Sequence, residues 1–262
     1  MKLLFVNPHP DDVEFACAST CQQAVELGWD VYEILMTSDE YGTTRNDFKG
    51  ERIRRIRKHE MLEAAKVYGT NQDGSPIIKL IWFGEIDGYL PFNRDVFLRL
   101  RKKVLNIKPD VIIGPDSFFS LDLHPDHKHT GWLIYLIVKS IEPSKRPILL
   151  LYHSTKTNFY IPIKDITIQV KAWAKHRSQT TPLSTKILLP LRKFFYTCKR
   201  IKSGPIIAES FRKVDFSEDE NKIITLRHKL LYYLNAKAFS NFGGGSKGER
   251  FRPTPEELGL IK

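Results

Sequence analysis

Two short clusters in the sequence hold the residue types of a divalent-metal site. His9-Pro10-Asp11-Asp12 follows the apolar run Leu3-Leu4-Phe5-Val6, and His124-Pro125-Asp126-His127 follows Val111-Ile112-Ile113. Neutral imidazole together with carboxylate suits zinc, and three protein ligands leave a position open for a reactive water. Taking His9, Asp12 and His127 as ligands leaves Asp11 beside the metal but unbound, the place of a general base acting on that water. His124, three residues before a ligand, is placed to stabilise an oxyanion as imidazolium and then to protonate a leaving amine. Asp126 is expected to hold His124 by a hydrogen bond and raise its pKa. Pro8, Pro10 and Pro125 stiffen both turns. Each cluster alone has a plainer use, since an Asp in a turn often caps the next helix and Asp12 is well placed to do so. Their joint occurrence after two apolar runs favours the metal. His59, His129, His153 and His228 lack such company and read as surface or supporting residues.

Two strand ends must bring these clusters together, and the pattern around them supplies such strands. Residues 2–7, 30–36, 77–83, 110–113 and 147–152 read as strands, most of them nearly continuous in apolar residues. Between them, 14–27, 51–68, 93–105 and 130–141 carry helical periodicity, with Gly28 and Gly69 as stop signals. Repeated βαβ units with apolar strands predict an α/β, Rossmann-like fold: a mostly parallel sheet with helices on both faces. Ligands in such sheets bind beyond the carboxyl ends of the strands, where both clusters lie. The last third is less regular. Residues 165–178 read as helical, 183–205 mix apolar and basic residues between prolines, and 241–247 read as a glycine-rich loop without phosphate-loop spacing. One domain over 1–262 is expected, with an α/β core over 1–180 and an irregular C-terminal extension over 181–262 completing it.

Composition narrows the function. With 262 residues and 42% hydrophobic content, the chain can bury a sizeable core. The formal charge of +11 permits anionic partners, yet the basic residues are spread out and no nucleic-acid motif occurs, so no nucleic-acid partner is expected. Cys17, Cys21 and Cys198 form no C-x-x-C pair, which points to a reducing compartment; Cys17 and Cys21 are expected to be buried as small apolar residues. The N-terminal residues read as a strand without a charged leader, and no apolar run reaches membrane-spanning length. The expectation is a cytoplasmic protein without stable membrane insertion.

The chain resembles the PIG-L/LmbE-like family of zinc-dependent de-N-acetylases. The resemblance rests on His9-Pro10-Asp11-Asp12 and His124 to His127, and on further segments. These are Thr37-Ser38-Asp39-Glu40-Tyr41-Gly42, Arg57-Lys58-His59-Glu60 with Ala64-Ala65, Asp87-Gly88, His176-Arg177-Ser178-Gln179 and Glu209-Ser210-Phe211. The resemblance implies His9, Asp12 and His127 as ligands of Zn²⁺ (with Fe²⁺ or another divalent ion as the alternative), Asp11 as base and His124 as acid or oxyanion group. It implies Arg57 and Asp87 as contacts to a small N-acetylated sugar, and a homo-oligomer. The implied reaction is hydrolysis of the N-acetyl group of an N-acetylglucosaminyl compound. The alternatives are another metal-dependent amidase or esterase on the same scaffold, or a basic binding module with a structural metal. Two stretches depart from the family. Phe15-Ala16-Cys17-Ala18-Ser19 stands where glycines are common, and the basic segment 183–205 is long. That segment reads as a lid or subunit contact in preference to a membrane-surface element.

Overall fold

The computed structural model describes residues 1–120, 122, 124–181, 183, 187, 207–217 and 252–261. The glycine-rich loop at 241–247, and all of the basic segment except Leu183 and Ile187, lie outside these.

Seven strands form one sheet: β1 (Lys2–Asn7), β2 (Asp30–Thr37), β3 (Lys79–Glu85), β4 (Val111–Pro115), β5 (Ile148–Tyr152), β6 (Phe159–Pro162) and β7 (Ala208–Lys213). Their order is β3-β2-β1-β4-β5-β7-β6. The first five run parallel. β7 lies antiparallel to β5, and β6 antiparallel to β7. The sheet is thus mostly parallel, as the periodicity predicts, with an antiparallel edge drawn from the late chain.

β1 shows why the strands read as unbroken apolar runs. Leu3 and Phe5 pack on one face with Cys17, Cys21 and Ala172, while Leu4 and Val6 pack on the other with Leu100, Leu133 and Ile137. Successive side chains point to opposite faces, and both faces are covered. Helices α1 (Asp12–Ala16), α2 (Ala18–Glu26) and α6 (Thr167–Trp173) supply the first cover, and α4 (Arg94–Ile107) and α5 (Pro125–Lys139) the second. α3 (Glu51–Ala65) packs through Met61 and Ala65 against Leu35, beside β3.

Two helix boundaries differ from the sequence reading, each because of backbone geometry at one residue. The single helix expected over 14–27 is two helices, because Cys17 leaves helical geometry (φ −151°, ψ 35°). The second of these is capped from afar: Glu209 on β7 accepts hydrogen bonds from Ser19 N, Thr20 N and Thr20 Oγ1 at 2.5–2.9 Å. A carboxylate there satisfies free N–H groups and meets the positive end of the helix dipole. Finally, α5 starts at Pro125 and not at Thr130. His124 takes the N-cap and Pro125 the first turn, where a missing N–H costs nothing.

The sheet order places the switch point between β1 and β4. The chain leaves β1 toward β2 and β3 and later resumes on the other side at β4. Loops after these two neighbouring strands diverge and open a crevice. His9 to Asp12 and His124 to His127 are the residues that face each other across it.

Candidate metal centre

The turn after β1 is held from three directions. Thr37 N and Oγ1 donate to the Pro8 carbonyl at 3.0 and 2.9 Å. The Arg57 guanidinium donates to the Pro10 carbonyl. His9 N donates to Asp12 Oδ2 at 2.9 Å. Asp11 sits at φ 122°, a conformation that side-chain-bearing residues rarely adopt and that persists only when its surroundings enforce it. The Asp12 side chain turns back to the His9 N–H and across to His127, so it does not serve as a simple helix cap.

On the opposite side, Asp116 braces the loop after β4. It pairs with Arg212 of β7 at 2.7 and 3.0 Å and accepts from Phe118 N at 2.9 Å. Asp122 closes the loop: Oδ1 accepts from His124 N at 2.9 Å, and Oδ2 lies 2.8 Å from His127 Nδ1. That contact directs His127 Nε2 into the crevice.

Three side chains meet there. His9 Nδ1 lies 3.3 Å from His127 Nε2, His127 Nε2 lies 3.4 Å from Asp12 Oδ1, and His9 Nδ1 lies 3.9 Å from Asp12 Oδ2. Tetrahedral ligands at about 2.0–2.1 Å from zinc stand about 3.3–3.4 Å apart, so this donor set fits such an ion. Histidine, aspartate and histidine within 4.8 Å of one another form one of the ligand groups among the described residues. The other ring nitrogens have carboxylate partners: His9 Nε2 lies 3.0 Å from Asp87 Oδ1 and 3.5 Å from Asp126 Oδ2. Such partners fix ring orientation and raise ligand basicity.

The electrostatics suit a bound cation. Burial opposes charge on His9, but Asp87, then Asp126 and Asp12, outweigh it and lift its pKa well above the usual value. Burial likewise opposes charge on His127, and Asp12 and Asp122 outweigh it. Asp12 is pushed up to about 6, by burial first, with His127 and His9 pulling the other way. A divalent ion would take the place of the protons that this charge distribution favours on the two histidines.

His124 and Asp126 meet through a different contact from the one the sequence suggests. Its Nδ1 accepts the Asp126 backbone N–H at 3.2 Å, so that nitrogen carries no proton. Burial first, and then the positive His9, push its pKa down to about 3. In a neutral ring the His124 proton then lies on Nε2. The Asp126 carboxylate accepts from Gly88 N at 2.6 Å and leans on His9, so it does not raise the pKa of His124 by a side-chain hydrogen bond.

Arg57 and Asp87 also stand elsewhere than expected. Arg57 is 0% exposed. Its guanidinium contacts Asp11 at 2.8 Å and Asp39 at 2.5 Å, with His176 Nδ1 at 3.3 Å. Asp87 takes His9 with one oxygen and Tyr41 N with the other. In this structure neither presents an open face to a sugar; one orients the carboxylate beside the metal ligands, the other orients a ligand. The His176–Gln179 element ties to α3 and its preceding loop: Ser178 N and Oγ donate to Glu60, and Gln179 Nε2 to the Gly42 carbonyl.

Sequence reasoning passed over Asp122, Asp39 and the Asp116–Arg212 pair as parts of this site. Asp122 stands two residues before the second cluster, and that proximity was its one available signal. Asp39 lay inside a recognised loop, but its left-handed backbone (φ 59°), which aims it at Arg57, had no mark in the sequence.

The sequence matches the family described as GlcNAc-PI de-N-acetylase (PIG-L) over residues 4–138. It is similar to diacetylchitobiose deacetylase of Thermococcus kodakarensis, at 25% identity over 193 residues, covering 68% of this chain and 70% of that protein. It is also similar to mycothiol S-conjugate amidase of Streptomyces coelicolor, at 31% identity over 149 residues, covering 48% of each. Among solved structures, N,N'-diacetylchitobiose deacetylase from Pyrococcus horikoshii superposes with a TM-score of 0.71 at 27% identity, covering 81% of this chain and 83% of that one.

Proposed function

The chain belongs to the PIG-L family of de-N-acetylases, and we propose that it is a zinc-dependent hydrolase that removes the acetyl group from an N-acetylglucosaminyl compound, leaving acetate and a free amine. The observation that carries this reading is the meeting of His9 Nδ1, Asp12 and His127 Nε2, with the Asp11 carboxylate beside them and 18% exposed. The similarity to deacetylases of diacetylchitobiose supports the sugar.

His9, Asp12 and His127 would hold the ion. When bound, the ion supplies a Lewis acid that polarises the amide carbonyl and makes water easier to ionise. Asp11 then acts on protons. Arg57 occupies its Oδ2, and among the described residues no hydrogen bond ends on Oδ1, so Oδ1 is the oxygen that takes a proton from the attacking water. As the water oxygen bonds to the carbonyl carbon, negative charge collects on the carbonyl oxygen. The neutral His124 donates its Nε2–H to that charge. When the carbon–nitrogen bond breaks, Asp11 returns its proton to the leaving nitrogen. His124 thus serves as a hydrogen-bond donor, and a single carboxylate serves as base and then acid.

The test is incubation of metal-loaded protein with a panel of N-acetylglucosaminides, scoring free amine and acetate in equal amounts. No release from any of them, under conditions where Zn²⁺ is bound, would overturn the substrate class. The similarity to an amidase favours one second reading, hydrolysis of a larger acyl group from the same kind of amine. Release of other acids from N-acyl glucosaminides, with the acetyl compounds inert, would establish it.

A further inference from the structure

A buried polar chain runs behind Asp11, away from the metal ligands. Arg57 engages a partner with every nitrogen of its guanidinium. Nη2 reaches Asp11 and the Pro10 carbonyl, Nε faces Asp39, and Nη1 lies 3.3 Å from His176 Nδ1. Glu60 stands farther from Nη1, at 3.7 Å, and its carboxylate is taken up by Ser178. A guanidinium only donates, so His176 Nδ1 accepts and the ring carries its proton on Nε2. That nitrogen faces Glu14 Oε2 at 3.4 Å, and neither atom hydrogen-bonds to another group among the described residues. Glu14 Oε1 accepts from the Tyr68 hydroxyl at 3.2 Å. Arg57, His176 and Glu14 are all 0% exposed. The chain joins three elements: Glu14 on α1, Arg57 on α3, and His176 in the turn after α6.

We propose that His176 is a positioning residue for the reaction: braced by Glu14, it holds the Arg57 guanidinium in the plane that keeps Asp11 Oδ1 turned toward the attacking water. The proposal rests on the assignment of Asp11 as the base. A guanidinium is a rigid plane, so an acceptor that anchors Nη1 also fixes the direction in which Nη2 donates. Asp11 needs that direction. Its carboxylate is 18% exposed, open to competing water, and Arg57 Nη2 holds its Oδ2 at 2.8 Å. Burying an imidazole and a carboxylate behind an arginine costs desolvation, and an apolar filling of the same space would serve stability as well or better. What the polar chain adds is orientation. Glu14 fixes the His176 ring from the far side, because Nε2–H has that carboxylate in front of it. His176 is fully buried and makes its polar contacts with Arg57 and Glu14, so its effect falls on kcat and not on metal or substrate binding.

The experiment compares the zinc-loaded, full-length parent with His176→Asn, His176→Gln and His176→Phe. The Asn side-chain carbonyl can take the place of Nδ1 and accept from Arg57; Gln carries its polar atoms to the place of Nε2, and Phe offers no acceptor. Zinc content and a melting curve report the fold of each variant, and the contrast of Asn with Gln stands if Phe does not fold. Turnover is measured on the N-acetylglucosaminide that the parent hydrolyses fastest. His176→Gln and His176→Phe should lose on the order of 10²-fold in kcat, the cost of a slightly misplaced group, with KM and zinc content unchanged, and His176→Asn should recover most of that loss. In the Asp11→Asn background His176→Phe should add little, because the group it acts through is already gone. Crystal structures, which need no substrate, should show the Arg57–Asp11 contact kept in His176→Asn and broken in His176→Gln. Parent-like kcat in His176→Gln, a full additional loss in the Asp11→Asn background, or an Arg57–Asp11 contact retained in His176→Gln would each overturn the positioning role. Unimpaired turnover in Asp11→Asn alone would instead overturn the base assignment, so the two failures are distinguishable.

Discussion

Asp11 and Asp12 are neighbours in sequence with opposite environments, and that contrast is the basis of the chemistry. Asp12 is 5% exposed and faces two histidines; Asp11 is tethered through one oxygen to a buried arginine. Asp11→Asn should therefore retain the metal and lose on the order of 10²–10⁴-fold in turnover, the usual loss for a general base. Metal content and kcat measured on the same preparation decide it, since loss of the metal would make Asp11 a ligand. Asp122 acts one step removed. Replacing it with Asn leaves His127 in place but weakens the acceptor on Nδ1, so zinc affinity should fall by about 10–100-fold in a chelator competition. Unchanged affinity would show that His127 needs no such anchor. Away from the metal, Glu33 on β2 is buried beside Glu14, accepts from Asn7 Nδ2 at 2.9 Å and has its pKa raised well above the usual value, by burial first. Below the unfolded pKa the group is protonated in both states and carries no charge penalty. As pH rises toward the folded pKa, the unfolded chain ionises first and gains relative to the native state. Glu33→Gln should thus melt with the parent near pH 4.5 and increasingly above it at higher pH. The gain should be roughly 3–5 °C per pH unit while the folded group stays protonated. A constant difference across pH would refute the assignment.

At the scale of elements, α5 sets the height of the second cluster over the sheet. Gly131 lies one turn beyond His127 on the same helix face, and a Cβ there would collide with the Pro115 carbonyl and the Ser117 side chain. The absent side chain lets that face of the helix approach the end of β4. Gly131→Ala should cost about 1–3 kcal/mol, as overpacking of a tight contact does, and should weaken zinc binding because His127 moves with the helix. A melting temperature and zinc affinity both equal to the parent's would show that the contact has slack. β7 works on two sides of the crevice. Glu209 caps α2, which follows the first cluster, and three residues on Arg212 grips Asp116 at the start of the loop that leads to the second. A strand added at the antiparallel edge thereby couples both halves of the site to the sheet.

Over the whole molecule, the charge distribution is uneven in a useful way. The chain carries +11 overall, while the crevice gathers Asp11 and Asp39 against Arg57 and Asp12, Asp87, Asp122 and Asp126 against His9 and His127. Confining so many carboxylates in one place costs stability until a cation joins them. Metal removal should therefore lower the melting temperature of the entire domain. Free Zn²⁺ at a thousandfold excess over its Kd should add about 4 kcal/mol, and with it roughly 8–16 °C. Calorimetric traces that coincide with and without Zn²⁺ would count against a metal that binds only the native fold. Among the described residues no helix is long and apolar enough to cross a membrane.

The two His/Asp clusters, the strands that end in them and the parallel sheet were legible in sequence because they depend on local order. Burial of both sheet faces needs apolar residues in unbroken runs, and ligand residues at strand ends are read directly. The helix break at Cys17 and the early start of α5 were less legible, since both turn on backbone geometry at one residue. What each charged group touches could not be read at all. His9 meets His127 across 118 residues and Asp87 across 78, Arg57 meets Asp11 across 46, and Arg212 meets Asp116 across 96. Residue type says that a carboxylate can serve as base, ligand, anchor or sugar contact. Only the packing of β1 against β4, with α3 and β7 closing over them, removes water from a particular pair and makes one of those roles the favourable one.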